Sequence, residues 1–211
     1  MEIYSFDTLN STQTYLISKL KSGEYKAPCA VITNMQTNGV GSRDNSWIGA
    51  KGNFFASFGV NTSSLPSDLP ISSMSIYFSW IMRGVLVDLG FDVWLKWSND
   101  FYYKDKKIGG TITKKIDDIV IFGIGLNLKN SQNGFNSLAS NIKSVDILDT
   151  YVKRLSQYPQ WKRVFIEYEI EFKRSRDFSV HIDNKRVSLE NAILCKDGSL
   201  IIDEKRVFSL R

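Results

Sequence analysis

A chain of 211 residues holds one domain of ordinary size plus a small module, and with 43% hydrophobic and 23% charged residues it falls in the globular class. Its net charge of +5 favours anionic partners, such as nucleotides, acidic proteins or nucleic acid, without singling one out. Two cysteines and a lone histidine are too few for a disulfide framework or a zinc cluster, so packed thiols are expected and no residue is assigned as a metal ligand.

Residues 2–6 read as a short strand, with no secretory signal in MEIYSFDTLNST. Asn10-Ser11-Thr12 then offers side chains to cap a helix that turns Tyr15, Leu16, Ile17 and Leu20 inward. Capping accounts for one of Ser11 and Thr12, leaving the other, or the first-turn amides, to a carboxylate or carbonyl. Residues 28–35 form a strand ending at Gln36. Residues 37–52 mix glycines with polar residues, Arg43 and Trp47, in a loop whose backbone N–H groups are suited to close over an anion or ligand; a plain surface loop is the alternative.

Residues 53–60 form the next strand, and a connection with Pro66 and Pro70 leads to a helix over 71–89 that is stopped by Gly90. This stretch is apolar nearly all round but carries serines, Arg83 and Asp88, so it reads as a helix packed across a sheet and not as a membrane span; the expected location is the cytoplasm. Residues 93–96 lead into Lys96-Trp97-Ser98-Asn99-Asp100, with Lys107-Ile108-Gly109-Gly110 close behind. Two cations, a carboxamide and a carboxylate among β-formers, beside a glycine pair, are how a strand-turn-strand unit presents polar groups to a ligand. The hairpin here is predicted to turn at Asp105-Lys106, and Asp117-Asp118 turns the chain into a strand over 119–128. Within it, Gly123-Ile124-Gly125-Leu126-Asn127 lacks the third glycine and following helix of a dinucleotide fingerprint, so its glycines mark close approach of backbone to ligand. Asn127 reads either as a base-recognising residue or as the end of the strand.

Helical periodicity returns over 146–157 and 159–174, with Pro159 predicted in the first turn of the second helix. The charges of 153–176, with Glu167, Glu169 and Glu171 among lysines and arginines, read as a solvated helical face, a nucleic-acid patch being the alternative. From residue 176 short alternating strands with turns at Asp183-Asn184 and Asp197-Gly198 predict a small β-barrel or meander.

Taken together, Asn10-Ser11-Thr12-Gln13, the Gly/Arg loop after Gln36, Gly52-Asn53-Phe54-Phe55-Ala56-Ser57, Lys96-Trp97-Ser98-Asn99-Asp100 (KWPND in the family), Lys107-Ile108-Gly109-Gly110 (KxxG) and Gly123-Ile124-Gly125-Leu126-Asn127 (GIGxN) resemble the biotin protein ligases that lack an N-terminal DNA-binding domain. The resemblance covers nearly the whole chain. It implies an α+β fold, a mixed and largely antiparallel sheet packed by helices as in class II synthetases, over 1–175, with a small SH3-like β-barrel over 176–211. It also implies a two-step reaction in which biotin and ATP, with Mg²⁺, give biotinyl-5′-AMP, and the biotinyl group passes to a lysine of the apo biotin carboxyl carrier protein of acetyl-CoA carboxylase or a related carboxylase.

By the same resemblance Lys107 is the catalytic cation, which also touches biotin. The second step needs the incoming amine unprotonated, and Asp100 is the candidate to accept that proton or orient the amine, a structural turn carboxylate being its other reading. Ser11, Thr12 and Gln36 match positions that hydrogen-bond the biotin ring, and Gly39, Gly110, Gly123 and Gly125 match glycines around it. Arg43, Trp47, Lys96, Asn99 and Asn127 fall to ATP and the adenylate. The enzyme is expected to be a monomer or weak homodimer that binds neither nucleic acid nor membrane. The departures from the family lie in one loop: where the pattern is near GRGRRGRxW, this chain has Val40, Ser42 and Asn45 and keeps only Arg43. Fewer cations predict leakier retention of the adenylate than in arginine-complete relatives. Ser98 in place of proline predicts a looser turn. A lipoate or other acyl-acid ligase shares the fold and the lysine and is the nearest alternative; a basic nucleic-acid-binding module is the alternative of another class.

Overall fold

The computed structural model describes residues 1–41, 46–47, 50–129, 136–183 and 185–208. The chain opens with β1 (Glu2–Leu9), α1 (Thr12–Lys21) and β2 (Cys29–Gln36), then β3 (Gly39–Val40), β4 (Ser46–Trp47) and β5 (Phe54–Asn61). Helix α2 (Met74–Asp88) carries it to β6 (Val93–Lys96), β7 (Asp100–Tyr103), β8 (Lys106–Ile116) and β9 (Ile119–Leu126). Seven of these strands make one sheet in the order β1-β2-β5-β9-β8-β7-β6. Only β1 and β2 run parallel, as the α1 crossover between them requires. After β5 the chain crosses by α2 to the far edge at β6 and then walks back by hairpins until β9 pairs with β5.

Period-two alternation decides what each face carries. In β5, Phe54, Ala56, Phe58 and Val60, and in β9, Val120, Phe122, Ile124 and Leu126, point into the larger core with α2, α3 (Ser144–Leu155) and α4 (Trp161–Phe172). Ten of the fifteen residues of α2 are buried. Phe122 stacks on Phe78 of that helix with centroids 3.7 Å apart, and on Phe58 at 4.9 Å. Such pairs contribute about 0.5–1.5 kcal/mol beyond their buried area. The opposite face holds a smaller core in which Leu16 of α1 meets Cys29, Val31 and Ile121. Both cysteines are free, and burial pushes the Cys29 thiol up to about 11. Among the described residues no helix is long and apolar enough to cross a membrane.

The last segment is five short strands in two antiparallel sheets: β10 (Ser179–Ile182) with β11 (Lys185–Ser188), and β12 (Ile193–Leu194), β13 (Leu200–Ile202) and β14 (Lys205–Val207). Val180, Leu189, Ala192, Leu200 and Ile202 join the same core as Trp161 and Tyr168 of α4. The turn before β13 is the tie. The Trp97 Nε1–H donates to the Gly198 carbonyl at 2.8 Å and the Trp161 Nε1–H to that of Lys196 at 2.9 Å. Ser72 Oγ donates to the Asp197 carbonyl at 3.1 Å, and Ser73 Oγ donates to the same oxygen. Gly198 has φ +74°, and a Cβ there would sit 2.7 Å from Ser73 Oγ, so both the turn and its seat on the start of α2 require glycine.

Three local expectations are corrected. The β7–β8 turn is Lys104-Asp105, one residue earlier than predicted, with Lys104 in the left-handed region that a two-residue hairpin turn demands. Pro159 precedes the N-cap Gln160 and lies outside α4; its carbonyl accepts from the Tyr77 hydroxyl at 2.9 Å. Glu171 is not on the solvated face of α4 but 8% exposed. It accepts from the Leu95 N–H at 2.8 Å and pairs with Arg83 at 2.5 Å. Burial pushes its carboxyl above the ordinary value against the pull of that arginine and amide.

Candidate active site

Site construction begins at the N-terminus of α1. Ser11 is the N-cap, its hydroxyl accepting from the Thr14 N–H at 3.3 Å, so the alternative left open for Ser11 and Thr12 resolves by position. Thr12, one step inside, is released from capping and turned to β2 and β5. Its N–H and hydroxyl both donate to Gln36 Oε1, at 2.8 and 3.0 Å, and its Oγ1 lies 2.8 Å from Ser57 Oγ. With that oxygen fixed, Gln36 presents its Nε2 towards Gly39, where a Cβ would stand 2.6 Å from it. All four polar side chains, Ser11, Thr12, Gln36 and Ser57, are buried.

The floor beside this network is bare backbone. Gly123 and Gly125 are two residues apart on β9 and so share a face, while Phe122, Ile124 and Leu126 take the core. Asp100, Gly110 and Gly125 lie side by side across β7, β8 and β9, and Ile112, Gly123 and Ser57 form the next row. A Cβ on Gly123 would meet Gln13 Oε1 at 2.8 Å and Ser57 Oγ at 3.1 Å; one on Gly125 would meet the Trp47 indole at 3.2 Å. The pairing of β3 with β4 folds Gly39 and Val40 against Ser46 and Trp47, so this part of the predicted loop is a small hairpin. It brings the Trp47 ring over Gly125. Arg43, with Ser42 and Asn45, lies outside the described residues.

At the other side a β-bulge sets the charge. Asp100 pairs with Gly110 and Phe101 with Gly109, but Tyr102 pairs with Lys107, leaving Ile108 as the extra residue. Strict alternation would send Lys107 to the core face. The bulge lets Ile108 take that face, fully buried, and re-aims Lys107 onto the face of Asp100. There Lys107 Nζ lies 2.6 Å from Asp100 Oδ1, the side chains 24% and 17% exposed. Asn99, in the β6–β7 turn, is clasped to β8: its Nδ2 donates to the Thr111 carbonyl at 2.5 Å and its own carbonyl accepts from the Thr111 N–H at 2.9 Å. Ser98 Oγ donates to Asn99 Oδ1 at 3.0 Å, and the Trp97–Ser98 peptide bond is cis.

These groups line a cleft open to solvent on one side, with Ser11, Thr12, Gln36, Trp47, Asn99, Asp100, Lys107, Gly110, Gly123 and Gly125 among its lining residues. From Ser57 on β5 to Asp100 on β7 it spans three strand spacings, roughly 14 Å. Three sequence candidates do not line it. Gly39 packs behind Gln36. Lys96 is 9% exposed with its ammonium 5.5 Å from the Tyr102 ring and 6.0 Å from that of Phe178. The Asn127 carboxamide is engaged with Asn53, at 3.3 Å, and with the Asn136 carbonyl, at 3.2 Å. Gln13, Val40, Ser57 and Ile112 line the cleft without having been singled out. Ser57 was readable: in Phe54-Phe55-Ala56-Ser57-Phe58 it is the polar member of the face opposite Phe54 and Phe58.

The sequence profile of the Biotin/lipoate A/B protein ligase family matches residues 5–130. The chain belongs to this family. Every cleft residue named above falls within the matched span, and its ligase fold is borne out by solved structures. The biotin acetyl coenzyme A carboxylase synthetase of Helicobacter pylori, solved with bound biotinylated ATP, is 38% identical, with a TM-score of 0.93 over 98% of this chain and 99% of that one. The Aquifex aeolicus biotin protein ligase in complex with biotin and ATP shares the fold at 18% identity, with a TM-score of 0.79 over 100% and 96% of the two chains. Among curated proteins, the bifunctional ligase/repressor BirA of Escherichia coli (strain K12) is 32% identical over 127 residues, 57% of this chain and 38% of that protein. The match thus spans less than half the length of the curated relative.

Proposed function

We propose that this protein is an ATP-dependent biotin protein ligase, which forms biotinyl-5′-AMP and then biotinylates a lysine of an apo biotin carboxyl carrier protein in the cytoplasm, where ATP and the carrier meet. The observation that carries this reading is the Lys107–Asp100 pair, held by the bulge on one face with the glycine floor and the Thr12–Gln36–Ser57 network. A neutral hydrogen-bonding end suits a polar ring, a bare floor suits a slender chain, and a cation at the far end suits a carboxylate meeting a phosphate.

In the first step a biotin carboxylate oxygen attacks the α-phosphorus of ATP, the bond to the β-phosphate oxygen breaks and pyrophosphate leaves. Two anions must approach, and Lys107 offsets their charge in a site partly shielded from water. Asn99, fixed by Thr111, stands beside it for the phosphates, and the Trp47 ring covers the adenylate. In the second step the carrier amine forms a bond to the acyl carbon and the bond to AMP breaks. A free lysine amine has a pKa of about 10.4, so it must lose a proton first. Asp100 accepts or orients that proton once Lys107 turns to the substrate anions. Lys96 and Asn127 act behind this wall, supporting Tyr102 and the end of β9, rather than on the nucleotide. Among the described residues no three His, Cys, Asp or Glu side chains form a metal cage. Mg²⁺ brought in on nucleotide phosphates would neutralise their charge when bound, with Asp100 the cleft carboxylate able to meet it. We assign 1–175 to catalysis and 176–211 to a C-terminal unit that braces it.

Transfer of biotin to an apo carrier domain, measured with and without ATP and beside lipoate, tests this reading. ATP-dependent biotinylation that is lost in Lys107→Ala is expected; wild-type protein that transfers lipoate and no biotin would overturn it.

A further inference from the structure

Ser98 stands where the family pattern has proline, and no role is assigned to it. The serine gives up a ring that stiffens a turn and brings a hydroxyl instead. That hydroxyl lies 3.0 Å from Asn99 Oδ1, with both residues 2% exposed.

The direction of this bond is fixed by the protons available. The Thr111 carbonyl can only accept, so Asn99 turns its Nδ2 towards β8 and its Oδ1 towards Ser98. An amide oxygen carries no proton, so the Ser98 hydroxyl must donate. The carboxamide is thereby held at both ends, by β8 on one side and by its own chain neighbour on the other. The β8 anchor is fixed in turn, because Thr111 Oγ1 accepts from the Ser79 hydroxyl of α2 at 2.8 Å and both residues are fully buried.

The clasp lies beside the reacting groups. Asn99 lines the cleft, and Asp100, the next residue, pairs with Gly110 beside Thr111 and meets Lys107 at 2.6 Å. Without the Ser98 hydroxyl, Oδ1 stays buried and loses its donor, and the carboxamide keeps one anchor of two.

Resting on the ligase reading, we infer that Ser98 is a positioning residue for the use of ATP. It acts through Asn99, whose carboxamide it holds together with the turn that delivers Asp100. A small misplacement at a reacting centre costs rate even when the altered residue touches no substrate.

The test is a double-mutant cycle in the 211-residue chain. Ser98→Ala, Asn99→Ala and the double variant are compared with wild type in biotin-dependent exchange of pyrophosphate into ATP, with KM for biotin and the melting temperature measured alongside. Expected is a fall of about three- to tenfold in kcat/KM for ATP in Ser98→Ala, with KM for biotin unchanged, and no further fall when the same substitution is made on Asn99→Ala. Losses that multiply in the double variant would show a hydroxyl that does not act through Asn99 and would overturn the assignment, as would unchanged kinetics at any melting temperature. Ser98→Pro, the residue of the family pattern, also removes the hydroxyl and should show the same loss. It carries the test if Ser98→Ala does not fold, and full activity in it overturns the assignment equally. Wild-type protein that activates lipoate and no biotin would overturn the biotin reading alone, since the same cycle run on lipoate still decides the role of Ser98.

Discussion

The two ends of the cleft are built by different means. At the α1 end, Thr12, Gln36 and Ser57 hold one another in a neutral network, each 8% exposed or less, so its geometry is set before any ligand arrives. At the β7–β8 end a single ion pair, Lys107 with Asp100, is partly open to water and rests on a bulge in the strand pairing. A ring is recognised by fixed donors and acceptors, whereas charge that changes hands during a reaction needs groups that are free to exchange partners. The first end is a template and the second a working pair.

This contrast breaks most visibly at Lys107. Lys107→Ala should lower kcat for adenylate formation by about two to three orders of magnitude with little change in KM for biotin, read from pyrophosphate release. The floor comes next. Gly123→Ala places a methyl 2.8 Å from Gln13 Oε1 and 3.1 Å from Ser57 Oγ, and should raise KM for biotin about tenfold with kcat less affected. Gly110→Ala is the control for stability: its nearest neighbour would be 3.4 Å away, in ordinary contact, so its melting temperature should match wild type. At the template end, Thr12→Val keeps the shape but leaves Ser57 and Gln36 short of a partner. A loss of about 1–2 kcal/mol in denaturant unfolding is expected, with a weaker KM for biotin and an unchanged KM for ATP.

The smallest effect is one of pH, and it lies in the C-terminal unit. Burial alone would raise the Asp197 carboxyl, but hydrogen bonds from Ser199 and Arg206 outweigh it and hold the group below its ordinary value of 3.8. A carboxylate lowered in the folded state contributes its stability above the unfolded value and loses it as the pH falls through the folded one. Wild type should therefore lose melting temperature below about pH 4 more steeply than Asp197→Asn; parallel curves would show that this carboxylate does not couple folding to acid.

Much of the site was legible because its spacing is physical. Gly123 and Gly125 are two apart because a strand alternates, and Ser11 is placed by helix capping. The bulge was not legible: nothing in Lys107-Ile108-Gly109-Gly110 says that Ile108 is the extra residue, although the direction of Lys107 depends on it. Gln13 stood in a recognised segment but gave no signal of its own, since the burial of its side-chain oxygen without a partner among the described residues shows only in the fold. Lys96 and Asn127 show the converse. They sit in the motifs, but Lys96 lies against Tyr102 and Phe178, and the carboxamide of Asn127 goes to Asn53 and Asn136, because a strand end must satisfy its own backbone and neighbours first. Glu171 looked like one charge among many on α4 until Arg83 and the amide of Leu95 were found beside it.

The turn at Lys196-Asp197-Gly198 has a practical consequence for anyone wishing to shorten the protein. A chain cut after residue 175 would strip the carbonyl partners from the indoles of Trp97 and Trp161 and uncover the apolar surface on which Leu200 and Ile202 rest. Trp97 directly precedes Ser98, Asn99 and Asp100, so damage from such a cut would reach the reacting groups within three residues. The C-terminal strands cannot be treated as a removable tag.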